Sequence, residues 1–177
     1  MINNKMILTA GPSITEKEIA YVTDAVTNGW NENWNSYLLR FENEFSSYIG
    51  TKYAIPTSSC TGALHIGLLA LGVGPGDEVI VPDISWVATA SAVAYTGATP
   101  VFCDIEEGSW CMDVESAESL ITSKTKAIFP VHLYGHPANM PEIMKLAKKH
   151  NLYVIEDAAP SIGAEIEGQK TGSFGHI

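Results

Sequence analysis

Up to about residue 50, apolar residues recur at the three- and four-residue spacing of amphipathic helices. Thr15 followed three residues later by Glu18 is typical of a capping box and predicts the start of a first helix. A second helix is predicted from about residue 36 to residue 48, with Gly50 ending it. We therefore interpret residues 1–50 as a helical N-terminal segment.

From residue 51 onward, short apolar runs alternate with helical stretches, as in a mostly parallel sheet covered by helices. Strands are predicted at 53–55, 78–81, 100–103, 127–131 and 152–155, and helices at 61–71, 86–95, 114–121 and 139–150. No linker or repeat interrupts this order, so residues 51–177 are predicted to form one α/β layer structure. After the turn-like residues 171–173, a further strand is expected to begin.

Composition and charge narrow the class of protein. The 10 Lys and Arg residues against 20 Asp and Glu residues give a net charge of −10, which disfavours nucleic acid and anionic membranes as partners. Residues 54–76 and 84–103 lack charged side chains, but their glycines, prolines and hydroxyl residues are not those of membrane spans. Three cysteines without metal-binding spacing predict neither a disulfide framework nor a zinc site. With no secretory signal, a cytoplasmic location is expected.

In open α/β sheets, ligands bind beyond the carboxyl ends of the strands, so the residues that follow each strand are the candidates for chemistry. The segment 57–62 joins a predicted strand to a helix and offers hydroxyls and backbone N–H groups, which suit a phosphate. The alternative is that Ser59 and its neighbours only cap the helix. Trp86 follows the next strand, where it could lie against a flat ligand ring or belong to the core.

Two neighbouring carboxylates, Glu156 and Asp157, follow the last predicted strand. Because a buried unpaired carboxylate is costly, at least one of them must face the crevice or pair with another group. Asp157 could also cap the following turn. His132 and His136 lie four residues apart, but on a strand end and a loop, so no metal site is predicted there.

Four segments, read together and in order, resemble a known family: 57–65 (TSSCTGALH), 74–105, 130–140 (PVHLYGHPANM) and 154–165 (VIEDAAPSIGAE). The family is the DegT/DnrJ/StrS-type sugar aminotransferases, which use pyridoxal 5'-phosphate and have the aspartate-aminotransferase fold. The resemblance implies a three-layer αβα structure with a mostly parallel sheet. It further implies that residues 51–177 are the N-terminal portion of the cofactor-binding large domain, without the smaller C-terminal domain.

The resemblance also assigns roles to individual residues. The turn that holds the cofactor phosphate reads Ser59, Cys60 and Thr61 here, with cysteine in place of the usual glycine. Trp86 matches the aromatic residue that stacks on the pyridine ring. Asp157 matches the aspartate that bonds the ring nitrogen, where its charge would keep that nitrogen protonated.

Two departures from the family pattern bear on activity. Pro160 stands where many relatives have a glutamine that contacts the ring hydroxyl, and Ser161 is the candidate substitute. The Schiff-base lysine of the family follows a Gly-Ser-Phe-Gly segment, here 172–175, and this sequence ends before reaching such a lysine. The chain is therefore expected to be the N-terminal part of an aminotransferase and to be inactive by itself.

The function implied is amino transfer, from glutamate or glutamine, to a keto group on a nucleotide-linked sugar in the synthesis of surface polysaccharide or a related glycoside. The resemblance also implies a homodimer of the full-length protein. Two alternatives stay open. One is a pyridoxal-phosphate sugar dehydratase, and the other is a non-catalytic remnant, or a half-protein that needs a second chain.

Overall fold

The computed structural model describes residues 13–177, so the first 12 residues of the predicted N-terminal segment lie outside the described residues. The helices are α1 (Glu16–Asn28), α2 (Ser36–Ile49), α3 (Cys60–Ala70), α4 (Ala88–Tyr95), α5 (Val114–Ser119) and α6 (Met140–His150). The strands are β1 (Glu78–Pro82), β2 (Thr99–Cys103), β3 (Thr125–Ile128), β4 (Tyr153–Val154), β5 (Glu165–Ile166) and β6 (Gln169–Lys170). The chain divides into two compact units, the first ending at Phe41 and the second comprising Glu42–Ile177.

The first unit contains α1, whose start is the predicted capping box. The Thr15 hydroxyl accepts a hydrogen bond from the Lys17 N–H, and the Thr15 N–H donates to the Glu18 carboxylate at 2.7 Å. Both halves of the box are present, so this prediction is confirmed. Within the same unit, the Tyr37 hydroxyl donates to the Asp24 carboxylate at 2.6 Å, which joins α2 to α1.

A four-stranded parallel sheet forms the centre of the second unit, in the order β2, β1, β3, β4. Val79 of β1 lies opposite Pro100 on one side and Ala127 on the other. The carboxyl ends of all four strands therefore lie at one edge of the sheet. The predicted mostly parallel α/β arrangement is confirmed.

Helices cover both faces of this sheet. Val79 and Val81 are buried against residues of α3 and α4, whereas Ile80 is buried against residues of α5 and α6. Successive residues of a strand point to opposite faces, so β1 contributes to two separate hydrophobic clusters. The result is the expected three-layer αβα structure.

Three features near the ends of the second unit differ from the prediction. The strand predicted at 53–55 is wrong, because these residues pair with no described strand and leave Tyr53 73% and Ile55 81% exposed. The short hairpin of β5 and β6 was not predicted; its turn places Glu167 and Gly168 at positive φ. The strand expected near the end of the sequence is not formed in residues 171–177, although the His176 N–H donates to the Val154 carbonyl at 2.8 Å and so places the chain beside β4.

None of the helices among residues 13–177 is long and apolar enough to span a membrane.

Candidate functional site

The segments that follow β3 and β4 are held together at the carboxyl edge of the sheet. The Asp157 N–H donates to the Pro130 carbonyl at 2.9 Å, and the His132 N–H donates to the Asp157 carbonyl at 3.2 Å. These bonds continue the parallel pairing of the two strands beyond their formal ends. They fix the backbone from which the Glu156 and Asp157 side chains project.

The start of α3 provides the candidate anion site. Ser59 is the N-cap residue, and its hydroxyl oxygen accepts the Gly62 N–H at 3.1 Å. The N–H groups of Cys60 and Thr61 open the helix, where backbone donors have no intrahelical acceptor and the helix dipole favours an anion. Ser59 is thus a cap, and the two interpretations of this turn are compatible.

Asp157 lies beside this turn as a buried carboxylate with few partners. It is only 5% exposed, and its Oδ2 accepts the Thr89 hydroxyl at 2.8 Å. Its Oδ1 receives the Ala159 N–H at a longer 3.3 Å and lies 4.0 Å from the Cys60 sulfur. Among residues 13–177, no lysine, arginine or histidine forms an ion pair with it. The carboxylate therefore keeps the capacity to accept a hydrogen bond from a cationic group.

Thr89 is a residue that the sequence reasoning missed. It is fully buried in the first turn of α4, and its side chain ties that helix to Asp157. Its backbone N–H also donates to the Trp86 carbonyl at 3.2 Å. No local sequence signal pointed to it, because its partner Asp157 lies 68 positions away.

Trp86 is 78% exposed, which rules out its alternative interpretation as a core residue. Trp86 lies just before α4. Its carbonyl accepts the Thr89 N–H, and the Thr89 hydroxyl donates to Asp157, so Thr89 links the Trp86 backbone to Asp157. An exposed indole has the apolar flat surface that can cover one face of a ring.

Glu156 points away from Asp157 and is saturated with donors. Its carboxylate accepts the His132 Nε2–H at 3.0 Å and the backbone N–H groups of Gly172, Phe174 and Gly175 at 2.6–2.8 Å. Burial by itself would raise the pKa of Glu156, but the bonds from His132, Gly175 and Gly172 hold that pKa below the ordinary value of 4.5. One of the two predicted carboxylates therefore pairs within the protein.

Ser161, the candidate substitute beside Pro160, is buried and hydrogen-bonded within the chain. Its hydroxyl lies 3.0 Å from the Thr171 hydroxyl and 3.3 Å from the Ala158 carbonyl. Its suggested contact with a ring hydroxyl stays a prediction.

The cysteines differ in accessibility. Cys60 is exposed, and Cys103 and Cys111 are buried. Burial raises the pKa of the Cys60 thiol and the negative charge of Asp157 raises it further, whereas burial takes the pKa of Cys103 to about 12. Only Cys60 adjoins the candidate site.

His132 donates a hydrogen bond to the Glu156 carboxylate, so it is not available to bind a metal ion together with His136. Within residues 13–177, no group of three or more histidine, cysteine or acidic side chains could hold a metal ion.

The sequence model of the DegT/DnrJ/EryC1/StrS aminotransferase family matches residues 12–177. The chain belongs to this family. It is 46% identical over 173 residues to GDP-perosamine synthase of Escherichia coli O157:H7, covering 98% of this chain and 48% of that protein. It is 54% identical over 136 residues to UDP-N-acetyl-3-dehydro-alpha-D-glucosamine 3-aminotransferase of Acidithiobacillus ferrooxidans, covering 77% of this chain and 37% of that protein.

A solved structure of NtdA from Bacillus subtilis with bound cofactor PMP matches with a TM-score of 0.78 and 39% identity. The matched region covers 95% of this chain and 40% of the NtdA chain. This aminotransferase-family chain thus spans about half the length, or less, of the relatives it matches.

Proposed function

We propose that the protein is a pyridoxal-phosphate-dependent aminotransferase that acts on a nucleotide-linked keto-sugar. Its family membership supports amino transfer. The names of two relatives support the substrate class, since one makes a GDP-linked sugar and the other aminates a 3-dehydro sugar carried by UDP. Surface polysaccharide synthesis fits the similarity to a spore coat polysaccharide biosynthesis protein, 40% identical over 164 residues.

The observation that carries the proposal is the surroundings of Asp157. A buried carboxylate with no cationic partner among residues 13–177 lies 4.0 Å from the side chain that opens α3. Such a group suits a protonated ring nitrogen, and the nearby helix start suits a phosphate. Pyridoxal phosphate has both groups on one ring, so the residues present fit this cofactor.

Each residue then has a task that follows from its position. Ser59, Cys60 and Thr61 hold the phosphate through the start of α3, so the cysteine at the glycine position is tolerated if backbone N–H groups bind the anion. Trp86 covers one face of the ring, and Asp157 accepts a hydrogen bond from the ring nitrogen. The negative charge of Asp157 raises the pKa of that nitrogen and keeps it protonated.

When bound, the cofactor supplies a cationic ring that withdraws electrons from a substrate carbon losing its proton. Thr89 holds Oδ2 of Asp157, so the carboxylate cannot rotate freely toward other partners. Two lysines of the second unit are engaged elsewhere, since Lys126 pairs with Asp77 and Lys170 with Glu165. Glutamate or glutamine as amino donor, a homodimer and a cytoplasmic location belong to the same proposal and are supported by the family resemblance alone.

The proposal is tested by calorimetric titration of the chain with PMP, which is the aminated form of the cofactor. PMP has no aldehyde, so it cannot label surface lysines and its binding reports the non-covalent pocket. Asp157→Asn should weaken PMP binding about tenfold or more, because a hydrogen bond between charged groups is lost. Pyridoxamine, which lacks the phosphate, should also bind more weakly than PMP.

Asp104→Asn is the matched control, since it changes an exposed aspartate that follows β2. It should leave PMP affinity unchanged. Equal affinity of the wild type and Asp157→Asn would refute the assigned role of Asp157, and absence of PMP binding would refute the pocket.

A further inference from the structure

Glu156 and Asp157 are successive residues after β4, so their side chains leave opposite sides of the extended backbone. Asp157 reaches Thr89 and the start of α3, and Glu156 reaches His132 and the turn 172–175. Because the two residues share one peptide unit, the hydrogen bonds that hold the Glu156 side chain also restrict the backbone from which Asp157 projects.

The partners of Glu156 leave it a single arrangement. The Ala138 N–H donates to Nδ1 of His132 at 3.0 Å, so the His132 proton is on Nε2 and points at Glu156. The three other donors are backbone N–H groups, which cannot change their role. A carboxylate is the acceptor that satisfies all four donors, because both of its oxygens accept.

Two separate segments meet at this carboxylate. His132 belongs to the loop that follows β3, and Gly172 to Gly175 form the turn that precedes the residues bonded to β4. Gly172 has φ +85, a conformation that favours glycine, and its N–H points at Glu156. Through these hydrogen bonds, the Glu156 carboxylate holds the segment after β4 between the loop that follows β3 and the turn 172–175.

We propose that Glu156 is a positioning residue that holds Asp157 against the start of α3. The importance of that position for cofactor binding rests on the proposed function. The positioning itself is a property of the chain without cofactor and can be tested in its absence.

The Cys60 thiol provides the test, because it lies 4.0 Å from Oδ1 of Asp157 and that charge raises its pKa. Alkylation of Cys60 by iodoacetamide is followed as a function of pH, with the modified residue identified by mass spectrometry. Asp157→Asn sets the reference: alkylation at pH 8 should be about fivefold faster than in the wild type, the effect of a unit charge at this distance in water.

Glu156→Asp keeps the charge but shortens the side chain by one methylene, so it cannot reach all four donors. Both Glu156→Asp and Glu156→Gln should move the pH profile of Cys60 toward that of Asp157→Asn, with alkylation about twofold faster or more at pH 8. Glu115→Gln, a change of an exposed carboxylate on α5, should leave the profile unchanged. Circular dichroism establishes that each variant is folded. If either Glu156 variant unfolds, His132→Asn, whose shorter side chain does not reach the position of Nε2, removes one donor to Glu156 and should give a smaller shift in the same direction.

An unchanged profile in the folded Glu156 or His132 variants would overturn the proposal, even if their melting temperatures fall. A shift in Glu156→Gln without one in Glu156→Asp would also overturn it, since loss of charge alone would then explain the effect. Failure of PMP binding in the wild type, with these shifts present, would refute the proposed function and leave the positioning role intact.

Discussion

Glu156 and Asp157 are neighbouring carboxylates with similar burial and opposite surroundings. Glu156 accepts four hydrogen bonds, all at 3.0 Å or less. Asp157 accepts one at 2.8 Å and two longer ones, from the Ala159 N–H at 3.3 Å and the Cys60 thiol at 4.0 Å, and no cation pairs with it among residues 13–177. Burial alone therefore does not separate a structural carboxylate from a binding one, whereas the supply of donors does.

This difference follows from what each side chain faces. Glu156 faces backbone segments of its own chain, whose N–H groups must be satisfied when buried. Asp157 faces the start of α3 and the Thr89 hydroxyl, which together supply it with fewer and longer hydrogen bonds. A buried carboxylate that is left short of donors indicates a ligand with a positive charge.

The largest expected effect is on stability. Glu156→Gln should lower the free energy of unfolding by about 3 kcal/mol. The NH2 group of glutamine would face N–H donors of the protein and could not accept their hydrogen bonds. Asp157→Asn makes the same chemical change one residue later and should cost about 1 kcal/mol or less, since Asp157 has fewer bonds to lose. Urea unfolding of both variants measures the two losses of unfolding free energy. Equal losses would contradict the difference between a structural Glu156 and a binding Asp157.

A smaller effect is expected at Thr89. Thr89→Val keeps the shape of the side chain but removes the hydroxyl that donates to Asp157. The affinity for PMP should fall about fivefold, corresponding to about 1 kcal/mol for one hydrogen bond. Thr89→Ser keeps the hydroxyl and should bind PMP nearly as the wild type does. If both variants bind equally, the Thr89 hydroxyl has no part in orienting Asp157.

The smallest effect is in the dependence of stability on pH. The pKa of Glu156 is lowered in the folded protein, because its hydrogen bonds outweigh the opposing effect of burial. Its contribution to stability is therefore present above its ordinary pKa of 4.5 and is lost as the pH falls through the folded value. The difference in unfolding free energy between the wild type and Glu156→Gln should shrink as the pH is lowered from 7 to 3. A constant difference would mean that the charge of Glu156 is not what its partners stabilise.

Much of the fold could be predicted because its signals are local. The capping box of Thr15 and Glu18 and the alternation of short apolar runs with helices depend on spacing alone. The strand predicted at 53–55 was wrong because a strand also needs a partner, and no described strand pairs with it. The β5–β6 hairpin was missed because its turn uses Glu167 and Gly168, which are not among the dipeptides most typical of such turns.

The candidate site could be predicted in part. Reading the residues that follow each predicted strand gave Ser59 to Thr61, Trp86 and the two carboxylates as candidates, the first of them from a predicted strand that does not form. Sequence could not tell which carboxylate would be saturated, since the donors of Glu156 come from residues 16 to 24 positions away. Thr89 was missed for the same reason, because it lies 68 positions from Asp157.

The most direct test of the central claim, that the start of α3 and Asp157 form one cofactor pocket, is protection of Cys60. Cys60 is the exposed thiol, and the two buried cysteines should react only when the chain unfolds. With PMP at about ten times its dissociation constant, alkylation of Cys60 should slow about tenfold in the wild type and much less at the same concentration in Asp157→Asn. Alkylation at the same rate with and without bound PMP would contradict the claim.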